Sequence, residues 1–363
     1  MSTVTSTTLR TLPEADAPNR LLSLRWIISG RDDLVWFIGS VLSSYLLLAL
    51  YVSGILPLVP MVAAWAILVD APHLFATFSR TYFDREERAS RGRLLWGSLL
   101  FFIVGPLMVL AGAGLFFFFA ALLWAYYHLV KQHYGFMVLY KKKNDDLARI
   151  DNALDRIFLL LAFSAPFALF AARDEEAMRR VPVSFQSGLE SFANTLLAFT
   201  LIAAVAWLLR QLQRFFRREP LDVPKYLLLA AAVPMHWIVL LTPMPHKPIA
   251  IVAILTVYHN LQYHRLVWFH NRKYTRGENL RERYGAAALI SHRLILYVAF
   301  GVLFGLAYRL PQSYFNQNRA DGHLFAESMV AFFWGFAFVH YYLDSKIWRV
   351  RRDPSVGRSL HMN

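Results

Sequence analysis

The chain has no cysteine, and charged residues occupy only 17% of its 363 positions. Without thiols there are no disulfides, no thiolate ligands and no cysteine nucleophile, so any metal must be held by His, Asp or Glu. Soluble domains carry about 25% charged residues. The shortfall here, set against 57% hydrophobic residues and a mean hydropathy of +0.38, excludes an ordinary soluble enzyme. Acidic residues are scarce too: 24 face 38 Lys and Arg, a formal charge of +14. In a soluble protein that excess points to nucleic acid. In a chain this apolar it points to basic loops on one side of a membrane, and no nucleic-acid partner is expected. Glycine-rich phosphate loops and Asp-rich phosphate motifs are also missing, which argues against a lipid transferase.

What is present is a series of apolar runs, most near the 20 residues that a bilayer span requires. They predict helices near 34–53, 58–79, 94–111, 115–139, 152–171, 189–209, 225–242, 248–270, 286–308 and 325–343. The expected fold is an all-α, polytopic transmembrane helical bundle of about ten spans over residues 31–345. It is preceded by a flexible cytoplasmic tail, 1–30, and followed by a basic cytoplasmic tail, 346–363, that exits along the membrane surface. With the N-terminus inside, alternate segments hold 30 Lys and Arg on the inner side against six on the outer side. That asymmetry predicts cytoplasmic N- and C-termini in a bacterial inner membrane. Lys141, Lys142 and Lys143 read as a topology anchor that attracts anionic lipid.

The twelve histidines are not scattered. His73, His128, His133, His259, His264, His270 and His340 fall in the last third or so of four even-numbered helices, at similar depth toward the cytoplasmic side. Ionisable residues in membrane helices are costly and usually face a bundle interior or a functional cavity. Asp70 and His73 are three apart and His340 and Asp344 four apart, so each pair shares a helix face. Each can supply a metal ligand with a carboxylate that orients it, or two direct ligands. His128 with His133, and His259 with His264, are five apart, about 140° around a helix. Helix-face geometry therefore ranks His73, His128, His259 and His340 first and His133 and His264 second. The flanking aromatics, Tyr258, Tyr263, Tyr341 and Trp348 among them, fit an interfacial belt. The polar string from Thr77 through Arg80 to Arg85 either binds a substrate headgroup, closes over the pocket or ties down a loop by ion pairs.

The HxxxxH strings at His128/His133 and His259/His264 resemble the first histidine box of integral-membrane non-heme iron oxidoreductases, the desaturase and hydroxylase class. The HxxHH boxes of that class are absent. Histidines spread singly over several helices also resemble the Brp/Blh-type membrane carotene dioxygenases. Either resemblance implies non-heme iron, mono- or dinuclear, and attack by dioxygen on a lipid or isoprenoid. The metal set expected is His73, His128, His133, His259, His264, His340, Asp70 and Asp344, with manganese or zinc as alternatives. The expected partners are a lipid-soluble substrate, membrane lipids and a soluble cytoplasmic electron donor. The competing reading is a transporter or proton-coupled channel that uses the same His/Asp cluster, with helices broken at Pro72, Pro106, Pro166, Pro234 or Pro248.

Overall fold

In a computed structural model, which describes residues 21–319, 323–350, 353–360 and 362, the chain is almost wholly helical. Ten long helices follow in order: α1 (Gly30–Val52), α2 (Leu58–Thr81), α3 (Arg85–Leu110), α4 (Gly114–Lys143), α5 (Arg149–Arg173), α6 (Val183–Phe216), α7 (Val223–Leu241), α8 (Lys247–His270), α9 (Leu294–Asn318) and α10 (Leu324–Ile347). A short α11 (Pro354–Ser359) closes the chain. Among the described residues nine helices are long and apolar enough to cross a membrane: all of α1–α10 except α8.

That exception organises the bundle. Tyr258, His259, Asn260, Gln262, Tyr263, His264 and Arg265 lower the hydropathy of α8, and 16 of its 24 residues are buried. In α6, 34 residues long, only Ala193, Thr200 and Arg214 are buried. The polar helix is the axis and the greasy one the rim, as expected where the surroundings are lipid rather than water.

Several helices depart from their expected limits: α6 runs six residues earlier and seven later than 189–209, and two others have a local cause. α3 begins at Arg85 because the Asp84 carboxylate caps it, accepting from the N–H groups of Glu86 and Glu87, and it kinks at Arg91. The apolar run near 286–308 divides: Ala286–Ile290 forms a short helix after Gly285, whose φ is +66°, and α9 starts only at Leu294. Pro106, Pro166 and Pro234 sit inside helices that continue past them.

In α2 the chain widens into a π turn over Ala66–Asp70, with the Ala71 N–H reaching the Ala66 carbonyl. The cause lies next to it. Pro72 has no N–H to offer Leu68 and its ring crowds that carbonyl, and an expanded turn relieves both faults. Helix α9 then packs directly on this turn through Gly301 and Gly305. A Cβ at Gly305 would lie 2.4 Å from the Ile67 carbonyl oxygen, and one at Gly301 2.9 Å from the Pro72 Cβ. Two glycines four apart give the close approach that such helix pairs use.

The end of the bundle that carries the basic loops is more ordered than the composition implies. Residues 22–23 (β1) pair in parallel with Leu221–Asp222 (β2). Asn144 ties this clip together, accepting from Ser23 Oγ at 2.5 Å and donating to Asp222 Oδ1 at 3.1 Å. Ile27 is buried and its N–H donates to Asp33 Oδ2 at 2.7 Å, so the free tail does not extend to residue 30. Lys141 is not a lipid anchor: it is buried in an ion pair with Asp155, which Lys225 also meets at 3.1 Å. The C-terminal stretch does not lie free on a membrane surface either. Asp353 pairs with Arg91 at 2.5 Å, His270 Nδ1 meets Ser359 Oγ at 3.1 Å, and Val356 and Leu360 are buried.

Candidate metal centre

Four helices each bring one histidine to a common point: His73 from α2, His128 from α4, His259 from α8 and His340 from α10. All four are buried, and one ring nitrogen from each lies within 4.8 Å of the others. His340 Nε2 is 2.9 Å from His73 Nε2 and 3.2 Å from His128 Nε2. The ring centroids of His73 and His259 are 4.8 Å apart, and those of His128 and His259 5.3 Å. Tyr341 stacks on His128 at 4.4 Å, leaving that ring little freedom to turn.

The five-residue spacings behave as helical geometry requires, because α4 and α8 are regular where these residues sit. His133 points away from the tetrad. Its Nδ1 donates to the Leu129 carbonyl at 3.0 Å, and its ring stands perpendicular to His236 of α7 at 5.6 Å. His264 remains nearby, 6.1 Å from His73 by ring centroid, but its nitrogens are taken by Tyr297 OH at 2.9 Å and the Val69 carbonyl at 3.3 Å. It thereby braces the π turn. Asp70 does not join the histidines: it forms an ion pair with Arg309 and lies 3.5 Å from Asn260. Asp344 stands behind the tetrad, 3.8 Å from His340 Nδ1.

Beneath the tetrad lies a second polar layer that follows one rule. Each histidine is followed four positions later by a hydrogen-bonding residue: Thr77 after His73, Gln132 after His128, Tyr263 after His259 and Asp344 after His340. Residues four apart are stacked on one helix face, so the second layer repeats the convergence of the first. Thr77 and Tyr263 both donate to Asp344 Oδ1, at 2.8 and 2.7 Å. Gln132 donates to the His259 carbonyl at 2.8 Å and binds α4 to α8. Thr77, Tyr263 and Gln132 carry a sequence signal in this i,i+4 repeat. His236 carries none, because by sequence it maps toward the outer face.

Proton accounting shows what the tetrad lacks. The Thr77 hydroxyl has one proton and three neighbours, Asp344 Oδ1, His340 Nδ1 and Tyr263 OH; with that proton given to Asp344, it accepts from the His340 Nδ1–H at 2.8 Å. The Nε2 of His340 is then a lone pair, set against Nε2 of both His73 and His128. His73 Nδ1 and His259 Nδ1 have no hydrogen-bond partner among the described residues. A neutral imidazole has one N–H and one lone pair, and buried nitrogens without partners are costly. A cation at the centre of the four rings would take the opposed Nε2 lone pairs of His340, His73 and His128, while His73 Nδ1 would keep its N–H without a partner. The spacing suits it, since metal–nitrogen bonds of about 2.0–2.1 Å place ligand nitrogens roughly 3–4 Å apart. Two surface depressions, beside Glu190, Asn194 and Phe199 on α6 and beside Trp237 and Thr242 at the end of α7, border none of these residues.

No family model matches the chain, and no curated protein and no solved structure does either.

Proposed function

We propose that this chain is an integral-membrane, metal-dependent oxidoreductase of the oxygenase, hydroxylase or desaturase type. It acts on a lipid or isoprenoid at the four-histidine centre. The observation that carries the reading is the tetrad itself: four buried imidazoles from four helices, with ligand nitrogens within 4.8 Å of one another. The Lys/Arg asymmetry supports ten spans, with α8 enclosed as the tenth, cytoplasmic termini and a bacterial inner membrane. The tetrad then lies toward the cytoplasmic side, within reach of a soluble electron donor.

Four neutral imidazoles leave the full charge of a divalent ion in place and suit iron or zinc; iron is placed first on the resemblance of the histidine strings, with manganese or zinc as alternatives. Bound there, iron would supply activation of dioxygen. The protein's own part is positional. Thr77 holds His340 in the tautomer that turns Nε2 inward. Tyr263 and Asp344 share a proton-bearing contact at 2.7 Å one layer below. Trp124 stacks on Phe338 with ring centroids 4.9 Å apart and packs α4 against α10. A hydrocarbon reaches the centre from the lipid between helices.

Elemental analysis of detergent-purified protein tests the proposal. The expected result is about one equivalent of metal, lost on His128→Ala and on His259→Ala. Metal-free protein of full thermal stability overturns it and favours the proton-coupled transporter.

A further inference from the structure

A third layer lies one turn beyond Thr77. Arg80 occupies the position seven after His73, on the same face of α2 and about 10 Å farther along the helix. It is fully buried, and its Nε and both terminal nitrogens have no hydrogen-bond partner among the described residues. Its guanidinium lies 4.0 Å from the Trp348 ring. Trp348 in turn touches Tyr263 OH at 3.4 Å and His270 at 5.6 Å, and His270 Nε2 is also buried and unpartnered. Most carboxylates of this region are engaged elsewhere: Asp344 by Thr77 and Tyr263, Asp84 by Lys273 at 3.2 Å and Tyr274 at 2.7 Å, and Asp353 by Arg91, while Glu87 approaches Arg91 at 3.3 Å with its Oε2 making no hydrogen bond. None makes an ion pair with Arg80.

A buried cation with five N–H donors and no acceptor is among the costliest arrangements a protein can hold. Every other buried basic side chain at this end of the bundle, such as Lys141, Lys225 and Arg214, has a carboxylate. Trp348 covers one side of the guanidinium plane, and the donors lie along its edge. That edge matches a planar or tetrahedral oxyanion, which a guanidinium binds through parallel N–H···O bonds.

We propose that Arg80 is an anion anchor, taking the carboxylate or phosphate oxyanion at the head of an amphipathic lipid whose chain runs past Thr77 to the tetrad. The oxyanion site rests on Arg80 and Trp348 alone. The assignment of its occupant as the substrate rests on the oxidoreductase reading above. The substrate class is thereby narrowed from any lipid to one with an acidic end, and a purely hydrocarbon polyene is excluded.

The test uses full-length protein in detergent, with oleate as the probe, methyl oleate as its uncharged counterpart and inorganic phosphate as the soluble oxyanion. Oleate is expected to bind, with affinity about tenfold or more weaker in Arg80→Met and partly retained in Arg80→Lys, while methyl oleate binds all three proteins equally weakly. Ligand-free Arg80→Met is expected to melt above wild type, because it removes an unpaired buried charge. Equal oleate binding by wild type and Arg80→Met overturns the anchor, as does a lower melting temperature of the ligand-free variant. Displacement of oleate by phosphate reassigns the guanidinium to a soluble anion and overturns its lipid part. Metal content is read on the same samples, so a missing metal with oleate binding intact removes the oxidoreductase reading and leaves the anchor standing.

Discussion

Thr77→Val is the most informative single substitution, because one hydroxyl joins the tetrad to the layer beneath it. The Thr77 side chain is fully buried and contacts His340 Nδ1 at 2.8 Å, Asp344 Oδ1 at 2.8 Å and Tyr263 OH at 2.6 Å. A buried hydrogen bond contributes about 1 kcal/mol, and one to a carboxylate about 1.5–3 kcal/mol. Losing the first two removes roughly 3 kcal/mol of support. Tyr263 keeps its own bond to Asp344, so a net loss of about 2 kcal/mol is expected at the metal, or about 30-fold in affinity. That lies within the ten- to hundredfold range for residues that orient a metal-bound histidine. The assay is a competition titration of reloaded protein against a chelator of known affinity, with thermal melting read in parallel. Thr77→Ser, which keeps the hydroxyl, should stay close to wild type. If Thr77→Val holds metal as tightly as wild type, the hydroxyl does not set the His340 tautomer. If Thr77→Ser falls as far as Thr77→Val, the methyl group rather than the hydrogen bonds matters.

Two further outcomes follow from packing and from charge. Gly305→Ala forces a Cβ to 2.4 Å from a backbone oxygen of the π turn that precedes His73. It should cost about 1–3 kcal/mol and lower both the melting temperature and metal retention. Gly188→Ala, with nothing within 4 Å, should leave both unchanged or rise slightly in stability. Asp222, in the β2 clip, titrates abnormally: burial, the largest influence, lifts its carboxyl to about 6 against the pull of the Lys225 N–H and ammonium. A raised carboxyl pKa means that the folded state binds the proton more tightly. Its contribution to stability is thus full below pH 4 and lost as pH rises toward 6 and above. Melting curves of Asp222→Asn should lack that slope, and an unchanged pH profile would show that Asp222 is not its source.

Much of the site could be read from residue spacing, and the reasons for the rest are specific. Helical phase separates His128 from His133 and His259 from His264, and the structure sets the first of each pair into the tetrad and turns the second away. The same phase explains Thr77, Gln132, Tyr263 and Asp344, although only Asp344 stands out by charge. Phase fails for Asp70, because the π turn rotates everything before Pro72 relative to His73, and Arg309 arrives from a helix far along the chain. It fails for His236 as well: counting residues along α7 gives a depth on one helix, not the neighbour that meets it. The belt reading of Tyr258 and Tyr263 fails because each hydroxyl has a buried acceptor, the Phe37 carbonyl and Asp344. Amphipathic patterning alone cannot tell a helix that lies on a membrane from one that lies on its own protein, and α11 does the latter.

The polarity of α8 also bears on how such a protein is made. A segment with an arginine, two histidines, an asparagine and a glutamine within seven residues gains little from entering lipid by itself, since Arg alone costs about 2.5–3.5 kcal/mol at mid-membrane. It needs Asp32 of α1 for Arg265, the Phe37 carbonyl for Gln262, and α2 for His264. All three were synthesised some 180 or more residues earlier, so α8 is a late guest received by a waiting cradle. His340 arrives later still. The four-histidine group therefore cannot assemble on a nascent fragment that lacks α10.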